Sequence, residues 1–68
     1  MELSAVLTPA PEGGCVAFNP ETGTTTQGET LEEALENLRE ATMLFIEEFP
    51  LSVSGRPFLT SFHVPEHA

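Results

Sequence analysis

The stretch QGETLEEALENLREATMLFIEEF, residues 27–49, decides how this chain is read. Thr30 stands three residues ahead of Glu33, the reciprocal arrangement in which a hydroxyl and a carboxylate satisfy two backbone donors left open at a helix start. Pro50 closes the segment, because proline has no amide proton to continue the ladder. The spacing predicts a helix over residues 31–48. At 100° per residue, Leu31, Ala34, Leu35, Leu38, Ala41, Thr42, Phe45, Ile46 and Phe49 fall on one arc, the stripe of a helix that lies on a sheet. Seven glutamates and one arginine fill the rest of the stretch.

Several of those carboxylates are badly placed for the helix itself. Glu29, Glu32 and Glu33 suit the positive end of the helix dipole, whereas Glu47 and Glu48 oppose it. Glu32 with Glu36, and Glu36 with Glu40, are like-charge pairs four residues apart, which mildly destabilise a helix. A face that tolerates this repulsion is expected to serve a basic partner, with Glu29, Glu32, Glu36, Glu40 and Glu47 as its carboxylates. Met43 and Leu44 interrupt the acidic arc and are the expected apolar contact for a partner or a second subunit.

Working outward toward the N-terminus, Leu3, Ala5 and Leu7 alternate with polar neighbours as in a first strand. The turn-forming PAPEGG, residues 9–14, precedes a second strand, CVAFN at 15–19. PETG at 20–23 is another turn, and Thr24 to Thr26 suit a third strand because β-branched side chains fit a half-buried pleat. Two short connections favour an antiparallel meander. Beyond the helix, Phe58, Thr60, Phe62 and Val64 alternate in FLTSFHV, and a final strand is expected there, ended by Pro65. The expected fold is therefore α+β: a three-stranded antiparallel meander, one long amphipathic helix packed on it and a C-terminal strand, in one domain over residues 1–64 with a short tail at 65–68.

The chain has 68 residues and a formal net charge of −9, with all eleven acidic residues glutamate and only Arg39 and Arg56 as cations. A chain this small buries a thin core, so a second subunit or a bound partner is expected to add to it. Its charge repels a phosphate backbone, which excludes direct nucleic-acid binding through a basic surface. The same charge speeds association with a basic protein. A lone cysteine, Cys15, allows no disulfide within the chain and suits a reducing cytoplasm. Neither a signal peptide nor a membrane span is legible.

No constellation for catalysis is present. His63 and His67 are four apart, as in helical metal sites, but Pro65 between them denies a shared helix face, so His63, Glu66, His67 and Cys15 are not expected to bind a metal. There is no nucleophile elbow, no dinucleotide-binding glycine pattern and no phosphate loop. Neither enzymatic activity nor a cofactor is expected.

The order strand, Gly-Gly turn, GCVAFNPETG, TTTQGETLEEALENLREA and long amphipathic helix resembles the HicB antitoxin family, including its small members. The resemblance runs from about Leu3 to Glu48 and is most specific at Thr26-Gln27-Gly28, Glu29, Thr30, Glu32-Glu33-Ala34, Asn37 and Glu40-Ala41. It implies a partial RNase H-like fold without nuclease activity. It also implies binding and neutralisation of a HicA-type toxin, a small basic protein that cleaves RNA. Full-length members carry a further DNA-binding domain, which this sequence does not contain, so autorepression is not implied. The alternative is a stand-alone homo-oligomeric scaffold or ligand-binding domain of the same fold, a homodimer or larger, without a toxin partner.

Overall fold

A computed structural model describes residues 1–51 and 57–66. Three strands, β1 (Val6–Pro9), β2 (Cys15–Asn19) and β3 (Thr24–Gly28), are followed by one helix, α1 (Leu31–Glu48). The sheet is an antiparallel meander in the order β1-β2-β3, with Leu7 opposite Ala17 and Ala17 opposite Thr26. The α+β class, the meander and the helix are as expected.

Both turns are built from residues that tolerate tight backbone. In the first, the Gly13 amide donates to Ala10 and the Ala10 amide to Gly14, with Gly13 and Gly14 at φ 106° and 82°. In the second, the Gly23 amide donates to the Asn19 carbonyl at 2.8 Å. The first strand begins later than its alternation implies: residues 3–5 stand outside the ladder, and Val6, not Leu3, is the first paired residue. A polar latch explains this, because Ser4 is bonded to Glu21 and Asn19 in the second turn and not to a neighbouring strand.

The pleat sends Cys15, Ala17 and Asn19 of β2 inward under the helix, where Cys15 and Ala17 form the core with Ala34 and Leu38, and Leu7 packs at its margin. Small residues let the helix come close. A Cβ on Gly28 would lie 2.5 Å from the Ala34 amide nitrogen, so glycine is required where β3 runs under the first turn. The Thr26 hydroxyl donates to the Ala34 carbonyl at 3.0 Å, and the Asn37 side-chain amide donates to the Gln27 carbonyl at 2.9 Å.

The apolar arc of α1 is only partly covered. Ala34, Leu38 and Thr42 are buried and Ala41 and Ile46 half-buried, while Leu31, Leu35, Phe45 and Phe49 remain exposed. Length accounts for the difference. Eighteen helical residues span about 27 Å, whereas a five-residue strand such as β2 or β3 spans about 17 Å. The helix therefore extends past the sheet, and Phe45 and Phe49 at its end stack on each other with ring centroids 5.1 Å apart.

The expected C-terminal strand is not formed. Residues 57–66 carry neither strand nor helix and are exposed throughout. Alternation alone does not make a strand; a free sheet edge must pair with it, and here none does. Of the expected tail, Pro65 and Glu66 are exposed, and residues 67–68 lie outside the described residues.

Candidate functional site

The helix start positions the first carboxylates. Thr30 is the N-cap, extended at φ −127° and ψ 166°, and its hydroxyl accepts from the Glu33 amide at 3.0 Å. The return bond differs from the expected one: the Glu33 carboxylate accepts from the Glu29 amide at 2.9 Å, one residue before the cap. Glu33 is thus committed to holding the helix entry. Glu32 remains free in the first turn, where the dipole favours its charge.

Glu29, Glu32, Glu36, Glu40 and Glu47 are all exposed. Glu36 pairs with Arg39 at 3.1 Å, and both side chains are open to water. Pairs of this kind contribute about 0 to 1 kcal/mol, so Arg39 hardly alters the field of the face.

Met43 and Leu44 do not form one patch. They are 51% and 61% exposed, but consecutive residues diverge by about 100° around a helix. Met43 lines a groove of about 610 Å³ between the N-terminal segment and one flank of α1, and Leu44 does not. Leu3 and Ala5 form one wall of this groove and Leu35, Met43 and Ile46 the other, with Leu38 and Thr42 also lining it. The Thr42 hydroxyl oxygen is buried there without a hydrogen-bond partner. Neither the groove nor the unpaired hydroxyl is legible in the sequence, because both depend on where residues 1–5 come to rest.

Those residues are placed by a half-buried polar cluster around Asn19 that no sequence motif announces. The Asn19 amide donates to the Ser4 carbonyl at 2.7 Å and to Glu21 Oε1 at 2.6 Å, and its oxygen accepts from the Thr22 amide at 2.9 Å and the Thr22 hydroxyl at 2.6 Å. The Ser4 amide and hydroxyl both donate to the Glu21 carboxylate, at 3.0 and 2.9 Å. Burial raises the pKa of Glu21, but the hydrogen bonds from Ser4 and Asn19 outweigh it and leave the carboxyl below its ordinary value. The one available signal was the run Asn19-Pro20-Glu21-Thr22, since asparagine and threonine in a turn commonly bond neighbouring backbone.

Cys15 is buried, with its thiol 3.8 Å from the Val16 carbonyl oxygen. A second hollow of about 490 Å³ at the first turn is bordered by Glu12, Gly13, Gly14, Cys15 and Glu29. Among the described residues no three His, Cys, Asp or Glu side chains group as metal ligands, and no helix is long and apolar enough to cross a membrane. His67, weighed as a ligand, lies outside the described residues. Comparison with protein-family models, curated proteins and solved structures found no match.

Proposed function

We propose that this chain is a noncatalytic binding module whose acidic helix face docks a small basic protein, and that the partner is an RNA-cleaving toxin of the HicA type. The observation that carries the reading is the outer face of α1: Glu32, Glu36, Glu40 and Glu47 open to solvent at helical spacing, opposed among the described residues by Arg39 alone. A cationic RNA-binding surface is the complement of such a face, and carboxylates paired with its lysines and arginines would mask it. Exposed pairs add little each, so the charges steer and select while apolar contacts, with Met43 inside that arc and Leu44 beside it, supply the grip. The resemblance of residues 3–48 to HicB proteins supplies the toxin class. The cytoplasm, where such a toxin meets RNA, is the compartment this function requires, and the partial RNase H-like fold belongs to the same proposal.

The test is titration of the purified chain with a HicA-type toxin from its own host, read by calorimetry at two salt concentrations. Binding should weaken at high salt, and the variant with Glu32, Glu36, Glu40 and Glu47 all changed to Gln should bind at least about fourfold more weakly, from about 0.2 to 1 kcal/mol per pair. No complex at low salt, or affinity indifferent to the four substitutions, would sink the proposal.

A further inference from the structure

From the exposed C-terminal segment and the empty groove we infer that two copies of this chain exchange arms, residues 58–64 of each lying in the groove beside β1 of the other. The inference does not rest on the proposed toxin partner. It begins with solvent exposure: Phe58 is 97% exposed, Leu59 82%, Phe62 84% and Val64 68%. Four large apolar side chains within seven residues form a patch that a soluble monomer does not leave bare. The overall dimensions agree. The radius of gyration is 14.2 Å and the longest extent 48 Å, against about 11 Å for the radius of a compact domain of this length.

The groove matches the arm in three respects. Its lining is mostly apolar, with Leu3, Ala5, Leu35, Met43 and Ile46 joined by the charged side chains of Arg39 and Glu47. Residues 3–5 run directly into β1, which among the described residues pairs on one side only, so a segment entering beside it meets open backbone. Such an edge is the usual template for strand addition. A strand at residues 58–64 would turn Phe58, Phe62 and Val64 to one side, the period the groove requires.

Charge selects a second copy as the occupant. All the acidic residues are glutamate, and none falls within residues 57–65. The arm can therefore approach another acidic body without repulsion of its own. In this chain residues 58–64 do not line their own groove. Reciprocal exchange places the same junction twice about a two-fold axis. The four arm phenylalanines of a dimer would bury about 600 to 1,000 Å², and with the groove walls this reaches the range of about 1,200 to 2,000 Å² of a stable interface.

Sedimentation of the whole chain tests the inference. The wild type should run as a dimer, at about twice the 7.3 kDa of one chain, and should associate more tightly as salt screens the repulsion between bodies, opposite to a complex with a basic partner. Phe62→Glu in the arm and Leu35→Glu in the groove wall should each shift dissociation to at least tenfold higher concentration. Circular dichroism should remain that of a folded chain, since both side chains are exposed. Mixing the two variants should restore a heterodimer, because the arm of one and the groove of the other are intact. A monomeric wild type, a dimer indifferent to either substitution, or a mixture that fails to associate would each overturn the exchange. Both substitutions leave the four glutamates of the toxin proposal unchanged; Glu47 is common to that face and to the groove lining, so the two proposals are told apart by their opposite salt dependence.

Discussion

The two halves of α1 carry similar apolar residues at similar spacing but meet different surroundings. In the first half, Ala34 and Leu38 are buried on the sheet, and side-chain bonds from Thr26 and Asn37 tie the helix to β3. In the second half Thr42 is buried, but Met43, Phe45 and Phe49 are open to water. The first half therefore holds the fold together, and the second is free to bind. The arm proposed above to enter from a partner copy would cover Met43 and Ile46 of this half, and Phe45 and Phe49 lie outside that groove.

Leu38→Ala gives the largest expected effect. It removes a buried side chain from a core of four residues and should lower unfolding free energy by about 2 to 5 kcal/mol, measured by urea denaturation. A loss below about 1 kcal/mol would mean that the first half does not anchor the fold.

A pH series sharpens the contrast at the groove wall. The carboxyl of Glu21 is held below its ordinary value of 4.5, so its contribution is fully present above that pH and is lost as pH falls through the depressed folded value. Denaturation midpoints should therefore fall on acidification below about pH 4.5, and Glu21→Gln should flatten that fall. An unchanged pH dependence in the variant would show that Glu21 does not hold residues 1–5 in place.

The smallest effect is expected at the helix end. Phe49→Ser should change stability by no more than about 0.5 kcal/mol when measured at concentrations where the chain is monomeric. A loss comparable to that of Leu38→Ala would erase the distinction between the halves.

Local signals made the helix legible almost to the residue. Thr30 caps it, Pro50 follows it, and the periodic apolar positions fill it. The meander was legible for a similar reason, since turns rich in glycine and proline divide short β-prone runs. Phe58, Phe62 and Val64 misled because alternation states which side each residue would face in a strand, not whether a strand has a partner. The Asn19 cluster was missed because its bonds to Ser4 join residues 15 apart, beyond the reach of any local pattern.

By itself, then, the amino-acid sequence determined the helix, the three-stranded antiparallel meander and the charge of the outer helix face, because each follows from neighbours within a few residues. Only the tertiary structure decided which part of the apolar arc is covered, where residues 1–5 rest and that Met43 belongs to the groove while Leu44 does not. Those outcomes depend on a helix longer than the sheet beneath it and on a latch between distant residues, and periodicity along the chain carries no information about either.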